Sequence, residues 1–327
     1  FFETFQHCSS ETLWKDVFQL PPAHYLEFDI KTKKFSITEY WKLKQKKIYK
    51  KTAQEELEFL LNKSVKLCTQ ADVDYGVYYS KGVDSSLIST FHKFKNKFYF
   101  DDKLNYEKDF RKKIKTIAYH LDFPVGSFSS YPLYKLAERA KKNNVKVILS
   151  GEGADEIFTG YARYMPIYMQ WKLNKRYPSY EYLYSKFYNS YLDGYAKLSS
   201  RNSENLELIK KTMKKYFEMF DNPITSMCYF DFKVIMPSLL QMGDRMSSAF
   251  GVENRCPFLD KDIIEFGFNL DVEQKISFYQ QKLILRNLLH KRLKTNYGEI
   301  EKKGLTIKFN KWFNVQSWER TKYFQFL

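Results

Sequence analysis

The stretch Tyr75–Ser86, YGVYYSKGVDSS, constrains this chain more than any other. Val77, Tyr78 and Tyr79 form an apolar, aromatic run that suits a buried strand. The run breaks at Ser80-Lys81-Gly82, and the order Asp84, Ser85, Ser86, Leu87, Ile88 predicts a helix starting near Asp84. A strand, a turn of small residues and a helix N-terminus together make an anion site. The first N–H groups of a helix lack intrahelical partners, and the helix dipole favours negative charge there. Ser80, Ser85 and Ser86 add hydroxyls, and Asp84 is suited to hold a metal beside a phosphate.

Downstream, strand-like and helix-like segments alternate. A helix is expected over 52–70, with Thr52 and Glu55 as a capping box and Leu57, Leu60, Leu61, Val65 and Leu67 at helical spacing. Further strands are expected at Phe98–Phe100, Val125–Phe128 and Val145–Leu149, and helices over about 106–121 and 132–143. This alternation predicts an α/β fold with a doubly wound parallel sheet, followed by a mainly helical C-terminal part. Ligands of such sheets bind beyond the carboxyl ends of the strands. Tyr79/Ser80 and Leu149/Ser150 are two such ends.

The second end leads into Ser150–Tyr164, SGEGADEIFTGYARY. Gly151 and Gly153 let the backbone approach a ligand. Glu152, Asp155 and Glu156 crowd three carboxylates into one turn, where they repel unless they share a positive partner. Mg²⁺ carrying phosphates, or a basic side chain, would supply that charge. The bland alternative is a turn with acidic N-cap residues.

Beyond residue 165 the sequence is helical and aromatic, with helices expected over 177–191, 206–220 and 225–240. Residues 244–260, DRMSSAFGVENRCPFLD, mix two arginines, two aspartates and Glu253. They read equally as an ion network lining a cleft or as one under a domain joint. Lys282 and Arg286 share a helix face at i, i+4, and Lys302-Lys303-Gly304 forms a basic turn before Trp312.

Residues 24–30 and 35–38 alternate like a hairpin, in a segment too small to be a domain. It is expected to pad a domain edge or lead out of one upstream. The start at Phe1 rather than Met points to a fragment or a processed product. With 54 basic and 38 acidic residues the net charge is +16, which attracts polyanions. The lysines and arginines are spread out, as on solvated faces, so nucleic acid is not the expected partner. Cys8, Cys68, Cys228 and Cys256 lack metal-ligand spacing and suit free thiols in a reducing compartment. No run of about 18 apolar residues and no signal peptide is present, so a cytoplasmic protein with no membrane partner is expected.

Four blocks resemble the synthetase domain of asparagine synthetases and their relatives, which include β-lactam synthetases and lasso-peptide cyclases. Ser80–Ser86 is similar to the family's pyrophosphate loop, Ser-Gly-Gly-x-Asp-Ser. Ser150–Tyr161 resembles its Ser-Gly-Glu-Gly-Ala-Asp-Glu block, and Asp244–Asp260 its Asp-Arg…Gly-x-Glu-x-Arg-x-Pro-Phe-Leu-Asp block. Lys282–Trp312 resembles its Lys-x-x-Leu-Arg…Lys-x-Gly-Phe…Trp tail. The blocks span most of residues 52–315. The resemblance implies an adenine nucleotide α-hydrolase-like synthetase domain over 51–327, with 1–50 as the linker or tail of an upstream glutaminase-like domain.

It implies an AMP-forming carboxylate–amine ligase that uses ATP and Mg²⁺. A substrate carboxylate, aspartate by default, attacks the α-phosphorus to give an acyl-adenylate and pyrophosphate; ammonia or a glutamine-derived amine then displaces AMP. Ser80, Lys81, Gly82, Asp84 and Ser85 would cradle the pyrophosphate, and Ser150 and Gly151 would contact the nucleotide. Asp84 and Asp155 would hold Mg²⁺. Glu152 would act at the attacking amine, and Lys302 on the charge developing at the α-phosphate. The chain departs from the pattern at Lys81, which replaces the loop's first glycine, at Met242, where a basic residue is common, and at Leu305, where Phe is common. The stretch 87–149 is shorter than usual in the family, and Asp101 and Asp102 follow the second strand without the family's pattern there. A side chain at Lys81 would either crowd the phosphates or add a cation. No nucleophilic cysteine leads the chain, so it is expected to have lost the glutaminase half, to have been cut from it, or to take free ammonia. A homodimer is compatible with all this. The competing readings are a catalytically inactive scaffold on the same fold and a tRNA-modifying enzyme with the same loop.

Overall fold

A computed structural model describes Thr12 and residues 14–44, 52–101, 103–122, 129–176, 191, 192, 194, 196 and 206–294. The expected strand at Val125–Phe128, most of the expected helix over 177–191, and Lys302 and Trp312 lie outside the described residues.

The site is positioned by a four-stranded parallel sheet. Its strands are β3 (Tyr75–Tyr78), β4 (Asn96–Phe98), β5 (Val147–Leu149) and β6 (Glu253–Arg255), in the order β4-β3-β5-β6. In register, Gly76 pairs with Asn96 on one side and Ile148 on the other, and Ile148 pairs with Asn254. Successive side chains of a strand point to opposite faces. Val77, Val147 and Leu149 accordingly enter one core, and Tyr78, Phe98 and Ile148 the other. Burial on both faces is what parallel strands require. Gly76 is dictated by sheet geometry, because a Cβ there would lie 2.8 Å from the carbonyl oxygen of Asn96.

The first core is walled by α1 (Ala53–Cys68) and α2 (Val83–Phe91), the second by α3 (Glu107–Leu121) and α4 (Ser130–Lys142). Helices on both faces make the sheet doubly wound, as the alternation predicts. Three local expectations change. Thr52 precedes α1 but its side chain makes no capping hydrogen bond, so the Thr52/Glu55 capping box does not form. The second strand ends at Phe98 rather than Phe100, and α2 begins one residue before Asp84, with Gly82 as its N-cap.

After β5 come the short α5 (Ala154–Ile157) and then α6 (Tyr164–Arg176), α7 (Leu206–Phe217) and α8 (Pro223–Phe230). A π-helical turn, Asp231–Ile235, joins α8 to α9 (Met236–Ser248), so the expected helix over 225–240 becomes one helical run from Pro223 to Ser248. Pro237 lies two residues past the end of the π turn. A proline ring crowds the carbonyl four residues earlier, and the wider π turn relieves that crowding. The chain then forms β6 and continues through α10 (Lys261–Asn269), α11 (Val272–Lys275) and α12 (Leu283–Leu293).

The N-terminal hairpin pairs β1 (His24–Phe28) antiparallel to β2 (Phe35–Glu39). Asp29 sets its turn by accepting hydrogen bonds from the N–H groups of Lys31 (2.8 Å) and Thr32 (3.0 Å). The hairpin does not pad the core: Tyr25, Leu26, Phe28, Phe35 and Ile37 all stay exposed. Trp41 and Leu43, just after it, do pack on the core, and the Trp41 indole N–H donates to Glu265 at 3.0 Å.

Candidate active site

The loops after β3 and β5 open into one cleft of about 280 Å³, lined by Ser80, Gly82, Asp84, Ser85, Ser150, Gly151, Glu152 and Asp155 among others. The two strand ends therefore face each other, as the sheet topology predicts.

The first loop is closed by its own hydroxyls. The Ser80 N–H donates to Ser85 Oγ (3.1 Å), the two hydroxyls lie 3.1 Å apart, and the Gly82 N–H donates to Ser80 Oγ (3.2 Å). This arrangement turns the backbone back on itself at Lys81, whose φ of 61° lies in the left-handed region. That is the position where the resembled loop carries glycine, and left-handed geometry explains the preference. Lys81 itself is exposed and is not among the residues that line the cleft.

The second loop gives each of its three acids its own surroundings. Asp155 Oδ1 lies 2.6 Å from Lys282 Nζ, which also donates to Asp84 Oδ1 (2.7 Å) and Oδ2 (2.6 Å). Glu156 turns inward and accepts a hydrogen bond from the Tyr161 hydroxyl. Glu152 faces the cleft and accepts from the Asn254 amide (3.3 Å) and the Cys256 thiol (3.4 Å). The shared positive partner expected for the acidic turn is thus a basic side chain, Lys282, 198 residues from Asp84. Gly151 allows the two loops to meet, since a Cβ there would lie 2.9 Å from Asp84 Cβ.

These environments separate the acids chemically. Burial pushes the Glu152 carboxyl up to about 7, against the opposing hydrogen bonds from Cys256 and Asn254. Glu152 can therefore hold or release a proton near neutral pH. Burial, then the Asp155 charge, likewise raises the Glu156 carboxyl. Burial opposes charge on Lys282, but the Asp155 and Asp84 carboxylates outweigh it and hold the ammonium charged. The Cys256 thiol is pushed well up by burial and then by Glu152, so it stays protonated.

Asp84 and Asp155, the two expected Mg²⁺ ligands, converge on one cation, Lys282 Nζ. A pair of carboxylates focused on one point fits Mg²⁺, which takes one or two carboxylates and completes its shell with phosphate and water. Among the described residues no group of three or more His, Cys, Asp or Glu side chains gathers as a metal cage.

The block at 244–260 does not line the cleft with its charges. Arg255 pairs with Glu253 and donates to the carbonyls of Cys68 and Gln70, fastening β6 to the end of α1. Arg245 pairs with Asp122 at 2.9 Å. Asn254 and Cys256, at the unspecified positions of that block, are the residues that reach Glu152. Sequence reasoning gave them no role, and nor did it give one to Gly160, Tyr161 or Gln281. Lys282 and Arg286 were placed on one helix face, and both do line the cleft, with Lys282 at the N-cap of α12.

Comparison with known sequences gives the family. The profile described as asparagine synthase matches residues 56–99 and 101–324. A putative glutamine-hydrolyzing asparagine synthetase 2 of Methanocaldococcus jannaschii is 32% identical over 188 residues, covering 48% of this chain and 36% of the relative. A probable glutamine-hydrolyzing asparagine synthetase of Schizosaccharomyces pombe is 26% identical over 331 residues, covering 83% of this chain and 48% of the relative. Glutamine-hydrolyzing asparagine synthetase 1 of Bacillus subtilis is 27% identical, covering 65% and 39%. The chain spans about half or less of the length of these relatives. With that profile over most of its length, and an α/β fold of the adenine nucleotide α-hydrolase-like kind, the chain belongs to the asparagine synthase family.

Proposed function

We propose that this chain is the synthetase part of an ATP-dependent, AMP-forming amide ligase. The observation that carries the reading is the convergence of Asp84 and Asp155, from the first turns of the helices that follow two parallel strands, on one cationic point in one cleft. A carboxylate is a poor electrophile, and transfer of AMP to it supplies a leaving group. The transition state at the α-phosphorus gathers negative charge, which preorganised N–H groups and cations stabilise.

In this reading the Ser80–Ser85 turn and the first turn of α2 bind the pyrophosphate portion of ATP, and Ser150 and Gly151 contact the nucleotide. Lys81 contributes its left-handed backbone to the turn rather than its charge. A divalent cation held by Asp84 and Asp155 would offset phosphate charge as a Lewis acid. Glu152, with its carboxyl near 7, takes a proton from the attacking amine once the acyl-adenylate has formed. Lys302 serves the α-phosphate by family resemblance. Aspartate is the default acid, and the amine is ammonia or comes from a glutaminase-like domain or subunit. Residues 1–50 form the linker to such a domain and 51–327 the synthetase domain. Free thiols at Cys68, Cys228 and Cys256 suit a cytoplasmic location.

The test is pyrophosphate release from ATP and Mg²⁺ with aspartate and a panel of other carboxylic acids. Release that depends on one acid is expected, and Asp84→Asn should abolish it while leaving the circular dichroism spectrum unchanged. Glu152→Gln should slow amide formation more than pyrophosphate release. Silence with every acid would reject the ligase reading, and tight tRNA binding with a steep salt dependence would favour the nucleic-acid enzyme.

A further inference from the structure

The lysine that joins the two carboxylates stands where a metal ion would have to stand. Lys282 Nζ lies 2.6–2.7 Å from three carboxylate oxygens, both of Asp84 and one of Asp155. Its side chain is 7% exposed, whereas each aspartate is 22% exposed. The place for it is built. Lys282 adopts φ 56°, a left-handed conformation uncommon for a residue with a side chain. Gly160 leaves the room, because a Cβ there would lie 1.8 Å from Asp155 Oδ1 and 2.2 Å from Lys282 Cε. Arg286, one turn further along α12, lines the same cleft.

Mg²⁺ binds carboxylate oxygens at about 2.0–2.1 Å, so an ion on Asp84 and Asp155 and an ammonium on the same oxygens would be within a few ångströms of each other. Two cations that close repel strongly in a half-buried site. The carboxylates can serve one or the other. An incoming polyphosphate changes the balance by bringing new oxygens for the ammonium at the moment the metal takes the old ones.

On the ligase reading above, we propose that Lys282 is a displaceable counter-cation. It neutralises Asp84 and Asp155 until a divalent metal arrives with a polyphosphate, and it then swings on its four-carbon stem from the carboxylates to the phosphate oxygens. The exchange makes metal and phosphate binding mutually dependent, because neither partner alone both frees the carboxylates and accepts the lysine.

The experiment uses Mn²⁺ as the metal and pyrophosphate as the anion, with free Mn²⁺ followed by electron paramagnetic resonance. In the unmodified chain, Mn²⁺ should bind at least tenfold more tightly with pyrophosphate than alone. Lys282→Met should bind Mn²⁺ alone at least tenfold more tightly than the unmodified chain does, and should hold Mn²⁺–pyrophosphate at least tenfold more weakly. Where the methionine variant does not fold, Lys282→Gln keeps a hydrogen-bond donor to the carboxylates without the charge, and the same shifts are expected. A variant that gains no affinity for Mn²⁺ alone, or loses none for Mn²⁺–pyrophosphate, overturns the proposal. If that happens while the unmodified chain still releases pyrophosphate with an acid, the counter-cation role falls and the ligase reading stands. If the shifts appear but no acid supports pyrophosphate release, the ligase reading falls and the exchange stands.

Discussion

Glu152 and Lys81 each hold a conformation or a charge state that ordinary surroundings disfavour, and both can be tested by stability. Burial raises the folded-state carboxyl of Glu152 to about 7 from 4.5, the value expected for an unfolded chain. A raised acid binds its proton more tightly in the folded state. The associated stability is therefore full below about pH 4.5 and is lost as pH rises to about 7. Above that pH the folded protein carries a buried carboxylate. Glu152→Gln removes the charge at every pH and keeps an oxygen for the Asn254 amide. Urea unfolding should show the variant more stable than the parent by on the order of 2 kcal/mol at pH 8, with the gap closing at pH 5. A gap that is the same at both values would mean that Glu152 titrates normally. At the other loop, Lys81 sits at φ 61° in the open, with no cleft contact to justify it. Lys81→Gly should raise unfolding stability by about 0.5–1 kcal/mol, the left-handed strain less the extra chain entropy of glycine. A drop in stability would show that the lysine side chain has a structural partner.

At the scale of elements, the helical run from Pro223 to Ser248 links the core to the cleft. Its π turn begins at Asp231, which is fully buried, 2.6 Å from Arg163 Nη2 and within hydrogen-bond reach of the Tyr164 hydroxyl. Arg163 also stacks on Tyr161, at 3.9 Å from the ring centre, and Tyr161 is the partner of Glu156. The π turn is thereby tied to the loop that carries Asp155. Beyond it, Met236, Leu239 and Met242 form the cleft wall. Met242 is a buried wall residue, so apolar packing takes the place where the resembled sequences carry a base. Removing one partner of a buried ion pair leaves the other uncompensated. Asp231→Ala should therefore cost about 3 kcal/mol in unfolding free energy. A loss below about 1 kcal/mol would show that Arg163, which is part-exposed, simply turns to solvent. The sequence made the elements with strong periodic signals legible and hid those decided from afar. α1, α3 and α4 follow their apolar spacing to within a few residues. β6 was not anticipated, because Glu253-Asn254-Arg255 has no apolar run and is a strand only through its pairing with β5. The capping box at Thr52 is a local pattern that the backbone there does not use.

Across the whole molecule, the candidate site is an assembly of distant segments, and two of them are legible from local pattern alone. The Ser80–Ser86 and Ser150–Glu156 loops carry glycine, serine and acidic residues directly after apolar strands, a local signature of a ligand edge. That the acidic turn needs a positive partner also follows from charge alone. Which residue supplies it does not: Lys282 reaches Asp84 only because α12 packs on α2, a contact between helices about 200 residues apart that no local pattern encodes. The N-terminal hairpin sits at the opposite extreme, with a clear local pattern and no core to enter. A lone two-stranded hairpin is marginally stable in water, and this one leaves Ile30 at 75% and Phe35 at 65% exposure. Exposed apolar surface of this kind marks a contact region rather than part of a folding core. The side chains that do anchor the segment, Trp41 and Leu43, follow the hairpin. A variant lacking residues 1–40 but retaining Trp41–Lys44 should consequently unfold within about 1 kcal/mol of the parent chain, since residues 14–40 bury little apolar area. It should also bind less of a hydrophobic dye such as anilinonaphthalene sulfonate. A loss of several kcal/mol would instead make the hairpin an integral layer of the synthetase fold, and residues 1–50 could then no longer be read as a linker.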